Sequence, residues 1–321
     1  MHFSRHAVII SAAAALLAAC GGSQLTVSTP DTMPPSRAAA TRLERGAWML
    51  PGAKRRTLLY VATGDNVYVL SYPHGKLVGS LNVTGNNLCS DKNGDVFVPS
   101  GGYVILEYAH GGTYPIQTLH GGDIPLGCAV DPTTGDLAVT QEASGAGNVV
   151  IFPNAQEPPT GYGDPDIYTF GLCGYDDRGN LFVDGNGTGN YIAELPKGSS
   201  AFINYTLDKN FDTFGAIQWD GHHITFANPT TEDVYRLKFG KKSYKVIGTT
   251  SFNGWQNNYS GHWPYVQTWL QGSTFIAQAS SFAQLGLWRY PAGGNTRKVT
   301  EMFKSGNVNI YGVTVSVPPK H

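Results

Sequence analysis

Charged side chains are sparse in this chain. Asp, Glu, Lys and Arg make up 14% of its 321 residues, against roughly a quarter in an average globular domain. The 22 basic and 23 acidic residues leave a formal charge of −1. Nothing gathers them into a basic stripe, so the electrostatic footprint of a nucleic-acid-binding protein is missing. Long apolar runs are absent too. Ala7–Ala19 spans 13 residues, short of the roughly 20 a membrane-spanning helix needs. No helical period persists beyond a turn or two. A Ser/His/Asp arrangement, a phosphate-cradling Gly loop and Cys/His metal spacing are all lacking. No metal site and no cofactor are therefore expected.

What is plentiful is Gly, 40 residues, with 17 Tyr and 14 Phe. Gly serves turns and aromatic residues suit pleated surfaces, which together point to an all-β chain. The N-terminus stands apart. Arg5 begins a positive segment, the apolar run has the length of a signal peptide, and it ends Leu17-Ala18-Ala19-Cys20-Gly21. That ending resembles the lipobox of bacterial lipoproteins. The resemblance implies a signal peptide over 1–19 and a diacylated, membrane-anchored Cys20, with Gly21 directing the protein to the outer membrane of the cell envelope. Residues 21–45 are rich in Ser, Thr, Pro and Ala without apolar period, so 20–56 reads as a flexible tether and 57–321 as the folded domain. Four Asn-x-Ser/Thr sequons begin at Asn82, Asn186, Asn204 and Asn258; on a bacterial lipoprotein they are chance.

From Thr57 onward short β-branched and aromatic strands alternate with Gly, Asn, Asp and Pro. One phrase returns at intervals of roughly forty residues. It reads Cys89-Ser90-Asp91-Lys92-Asn93-Gly94-Asp95-Val96-Phe97-Val98, then Cys128-Ala129-Val130-Asp131 through Gly135-Asp136-Leu137-Ala138-Val139, then Cys173-Gly174-Tyr175-Asp176-Asp177-Arg178-Gly179-Asn180-Leu181-Phe182-Val183. Weaker copies start at Ala216 and Tyr265. The chain closes on Tyr311–Val315, a first strand with no second, while Leu58–Leu81 supplies strands two, three and four without a first. The two fragments complete each other, giving six four-stranded blades with one shared between the chain ends. Such closure removes the unpaired inner edge of a radial array. The pattern resembles the NHL-repeat and related six-bladed β-propellers over residues 57–317.

Aligning the copies places Cys89, Cys128, Cys173, Ile217, Val266 and Val313 in one slot. Aliphatic occupants make it an apolar slot between blades, so the Cys residues are expected as reduced, shielded core thiols. Disulfides among them are excluded on this alignment, because equivalent positions on separate blades lie beyond the roughly 7 Å Cα limit. The following position, Ser90, Ala129, Gly174, Gln218, Gln267 and Thr314, faces the central channel and is small or neutral. The Asp residues of the phrase start turns by accepting hydrogen bonds from the backbone two residues on.

The largest departure from the repeat is residues 251–264, where Trp255, Tyr259, His262 and Trp263 stand among Asn and Gln. Aromatic faces beside fixed amides suit a glycan or peptide, although large aromatics also cap cores. Asn87 and Asp123 belong to the same face, with His120 beside Asp123 as a candidate acid–base pair and Asp184 nearby. The residues therefore suggest a lipid-anchored binding or protein-interaction module rather than an enzyme. The alternative is a metal-dependent hydrolase, lactonase or lyase, which fold analogy alone brings in.

Overall fold

The structure is a computed structural model that describes residues 46–142, 148–207, 211, 214–228, 230–255, 266–279, 284–301 and 308–319. Its strands form six antiparallel blades. Blade 1 is built from Leu58–Ala62, Val67–Ser71 and Lys76–Leu81, with Gly312–Ser316 as its innermost strand. Blade 2 holds Cys89–Ser90, Val96–Ser100, Val104–Tyr108 and Gln117–His120; blade 3 holds Ile124–Val130, Leu137–Glu142, Asn148–Phe152 and Thr160–Gly163. Blade 4 runs through Ile167–Tyr175, Leu181–Gly187, Asn190–Leu195 and Ile203–Thr206. Blade 5 comprises Ala216–Trp219, Ile224–Asn228, Asp233–Phe239 and Tyr244–Asn253, and blade 6 Trp269–Gln271, Thr274–Gln278, Gln284–Arg289 and Lys298–Glu301.

Each blade is covered on both faces, which is why its strands read as unbroken apolar runs. Side chains alternate along a strand. In blade 1, Leu58, Tyr60 and Ala62 pack with Val96 and Val98 of blade 2. Leu59 and Val61 turn the other way, toward Ile276 and Leu285 of blade 6. The chain ends close the ring through register pairs such as Val61 with Val313 and Tyr60 with Thr314. Blade 2 bolts that strand in place. Ser90 Oγ donates to Val315 O at 2.9 Å, and buried His110 lies 2.6 Å from Ser316 Oγ and 3.0 Å from Arg56 O.

Three sequence expectations change. Residues 46–56 are not tether: Trp48 and Met49 pair with Ser80 and Gly79 as an outer fifth strand of blade 1, and Ala53 is buried. The apolar Trp48-Met49-Leu50 triplet has a hydrophobic edge to cover, and Met49 and Leu50 pack against the cluster between blades 1 and 2. The innermost strand of blade 6 lies at Trp269–Gln271, because the hairpin turns tightly through Gly272 at φ +57°; Tyr265 lies outside the described residues.

The third correction is chemical. Cys89 and Cys128 form a disulfide across blades 2 and 3, with Cα atoms 5.7 Å apart, and among the described residues Cys173 is left as a free, buried thiol. Cys89 stands two residues before its turn-starting Asp91, whereas Cys128 and Cys173 stand three before Asp131 and Asp176. A one-residue slip in a strand reverses the face a side chain occupies. Leu88 therefore holds the backward-facing slot and packs with blade 1, while Cys89 points forward into the cluster that contains Cys128.

Candidate functional site

The turn-starting carboxylates are fully engaged by their own loops. Asp91 Oδ1 accepts the amides of Asn93 at 2.9 Å and Asp95 at 2.8 Å. Asp176 does the same with Arg178 and Asn180 at 2.9 and 2.8 Å, and Asp131 accepts Thr133 N at 2.7 Å. Burial acts to raise the Asp131 carboxyl, but hydrogen bonds from Thr133 and Thr134 and the charge of Lys197 hold it below the usual carboxylate range. Gly94, Gly135 and Gly179 take φ values of +87°, +84° and +84° to complete these turns. These Asp residues are scaffolding.

The central channel holds a cavity of about 310 Å³ that reaches from the level of the disulfide to the turns at Pro132 and Asp176–Asp177. The channel-facing expectation holds for Ser90, Ala129, Gly174, Gln218 and Gln267, all of which line it, whereas Thr314 is fully buried and does not. Three aromatic side chains join them: Tyr175, Trp219 and Trp269. Trp219 and Trp269 are partly exposed, and the Trp219 indole N–H has no partner among the described residues. Gln218 Oε1 accepts Leu270 N at 2.6 Å and Gln267 Oε1 accepts Leu88 N at 2.7 Å. Backbone donors thus fix both amide orientations. Each Nε2 is then left without a protein partner among the described residues. The channel therefore combines apolar faces with a few oriented donors, the arrangement of a small-ligand site.

Tyr175 and Trp219 each directly precede a turn-starting Asp, Asp176 and Asp220. That position was the sequence signal for the cavity, masked by the more conspicuous aromatic loop after Ser251. In that loop Trp255 is 2% exposed. It packs edge-on to Phe275 at a centroid distance of 5.0 Å, in a cluster where Phe252 and Phe275 stack at 4.2 Å. The Trp255 indole is core between blades 5 and 6; Tyr259, His262 and Trp263 lie outside the described residues, as does Cys20.

Asn87 is 1% exposed and its Nδ2 donates to Leu126 O at 2.7 Å, tying blade 2 to blade 3. Asp123 is half-buried in the loop entering blade 3, where its carbonyl accepts Gln141 Nε2 at 3.4 Å. His120 pairs not with Asp123 but with exposed Glu157, at 2.9 Å. Asp184 is wholly buried, and its Oδ1 accepts Leu172 N at 2.5 Å. Burial pushes its carboxyl up to about 8, opposed by the amides of Leu172, Phe214 and Gly215. It fastens the entry of blade 5 to blade 4. The structure does not gather these polar residues into one site.

No protein-family model matches the chain, and no curated protein is similar to it in sequence. Similar folds are found among solved structures. A chain in the crystal structure of a nidogen/laminin complex superposes with a TM-score of 0.64 at 12% identity, covering 82% of this chain and 100% of the other. A protein of unknown function from Bacteroides caccae gives 0.60 at 12% identity, covering 81% and 99%. The β-propeller domain of Cps50 (Swd1) from Myceliophteria thermophila gives 0.54 at 9% identity, covering 81% and 87%. At these identities the likeness is one of fold.

Proposed function

We propose that this protein is a ligand-binding module of the bacterial cell envelope, tethered by lipidated Cys20, with the mouth of its central channel as the binding surface for a glycan or peptide. The observation that carries the reading is the aromatic cavity: Tyr175, Trp219 and Trp269 around two glutamine amides oriented by the backbone. Apolar stacking with fixed hydrogen bonds is what such ligands need, and it requires no catalytic group. The envelope location rests on the leader sequence and gains support from the Cys89–Cys128 disulfide, since such bonds persist in oxidising compartments and are rare in the cytosol.

The binding reading is tested by screening the purified domain on glycan and peptide arrays beside Trp219→Ala/Trp269→Ala. Hits that vanish in the double variant support the channel mouth; hits that survive it unchanged, or a blank array for the native domain, count against it. The anchor is tested separately. Cys20→Ala should release the protein from membranes and abolish acyl labelling, and a variant that stays membrane-bound would refute lipidation.

A further inference from the structure

Between blades 2 and 3, beside the channel, lies a cleft of about 290 Å³ lined by Asp91, Asp95, Glu107 and Asp131. Asp91 and Asp131 are committed to their turns, as described above. Glu107 is not. Its position in Val104–Tyr108, directly across from Phe97, turns it toward blade 3. It is 9% exposed, and its carboxylate accepts no hydrogen bond from any described residue. We propose that this cleft is a binding site for an organic cation, an alkylammonium or guanidinium group such as a Lys or Arg side chain, with the Glu107 carboxylate as its principal acceptor.

The same fold shows what a satisfied version of this position looks like. Glu194 occupies it in blade 4, opposite Phe182 as Glu107 is opposite Phe97. There the Tyr205 hydroxyl donates to Glu194 Oε2 at 2.9 Å. Tyr205 faces Ile192 across the outer strands, and the residue in that register in blade 2, facing Ile105, is Leu119. Leucine donates nothing, so the blade 2 glutamate lacks the hydroxyl that its blade 4 counterpart has, and its carboxylate opens on the cleft instead. A carboxylate held in a half-enclosed acidic cleft without a protein donor is poorly solvated, and an external cation is the natural complement.

The neighbouring cleft, between blades 3 and 4, carries its own cation: Lys197 Nζ sits 3.8 Å from Asp131 Oδ2. In the blade 2–3 cleft the only basic lining residue is Lys92, exposed and without an ion pair among the described residues. Gln117 and Gln156 bridge the outer edge of the cleft by an amide pair at 3.0 Å. No three acidic or imidazole groups among the described residues converge closely enough to hold a metal ion. The negative charge is spread along a cleft rather than focused on a point, which suits a forked or elongated organic cation over a compact one. Burial, then the charges of Asp95 and Asp91, pushes the Glu107 carboxyl up to about 7; Asp131 faces it across the cleft and Lys92 stands at the rim. A bound cation will pull that proton off.

The test is titration calorimetry of the folded domain with agmatine, which carries both an ammonium and a guanidinium group. Saturable binding at pH 8, weakened at least about tenfold in Glu107→Gln as expected for a lost charge-assisted bond, supports the proposal. At pH 6.5 binding should release a proton, read as a dependence of the heat on buffer ionisation, and Glu107→Gln should lose that release. Asp95→Asn, half-buried in the same cleft where its carboxylate accepts the His110 amide, provides a second variant and should weaken binding severalfold. Glu194→Gln should leave it unchanged, and so should Trp219→Ala/Trp269→Ala, so the outcome is independent of the channel-mouth reading. Absence of agmatine binding, binding unaffected by both cleft variants, or a response to calcium chloride in place of agmatine would overturn it.

Discussion

The sulfurs of Cys89 and Cys128 are bonded across the gap between blades 2 and 3, joining two innermost strands that stand 39 residues apart in the chain. Both residues are almost fully buried among Phe97, Leu137, Val139 and Phe152. The bond spans the loop formed by all the rest of blade 2. Closing a loop of that length restricts the unfolded chain by about 4 kcal/mol on the loop-entropy account. Cys89→Ser/Cys128→Ser should lower unfolding free energy by about 2–4 kcal/mol. In guanidinium titrations the native domain, but not the double variant, should move to a lower midpoint when reductant is added.

Cys173 should behave in the opposite way. It is the free thiol of the described residues, and burial, then the nearby Asp184 charge, raises its pKa far above that of an ordinary thiol. Thiolate is the reactive form. Iodoacetamide should leave Cys173 unmodified in the folded, non-reduced domain and label it stoichiometrically in guanidinium, as read by intact mass. Rapid labelling of the native domain would show that the blade 3–4 interface opens.

Gly312 marks the point at which closure is tightest. A Cβ placed there would lie 2.4 Å from Asn86 O and 2.8 Å from Asn87 Cα, and 3.0 Å from Gln267 Oε1. The bare backbone lets Gln267 reach past the closing strand to Leu88 N. Gly312→Ala should therefore destabilise by about 1–3 kcal/mol, the range for an overpacked site, and loosen the Gln267 amide in the channel. Thermal melting of the variant is the check. A melting curve identical to the native one would mean that the loop at Asn86 yields freely.

Asp184 gives the stability a definite pH dependence. Its folded pKa of about 8 lies above the ordinary carboxylate value of 3.8, so between those values the folded state holds a proton that the unfolded state has released. Stability from this group is complete below about pH 4 and falls as pH rises toward 8, by at most about 1.4 kcal/mol per pH unit. Glu107, raised from 4.5 to about 7, acts with the same sign over a narrower window. Asp184→Asn keeps an acceptor for the Leu172 amide and removes the titration. Its stability between pH 5 and 8 should be measurably flatter than that of the native domain.

How far the sequence could be read depended on whether a feature repeats. The Asp-started turns recur within a dozen residues of their strands, and local hydrogen bonding suffices to specify them, so Asp91, Asp131 and Asp176 were legible. Aligning Cys with Cys misplaces Cys89, because the strand takes its register from its turn. Counting back from Asp91 gives Leu88, not Cys89. The aromatic residues of the site were misjudged for a different reason. Trp255 is conspicuous in sequence and buried in space, while Tyr175 and Trp219 are ordinary strand residues that line one channel only because blades 4 and 5 bring them to it.

The amino-acid sequence by itself determined the six blades, their four strands and the closure of the ring by the two chain ends, because alternation and turn chemistry act over neighbouring residues. The tertiary structure decided which faces meet: the disulfide between blades 2 and 3, the cavity shared by Tyr175, Trp219 and Trp269, and the glutamate at 107 whose blade 4 counterpart has a tyrosine that it lacks. Those depend on one-residue register and on contacts between blades, and neither is carried by a stretch of chain short enough to read alone.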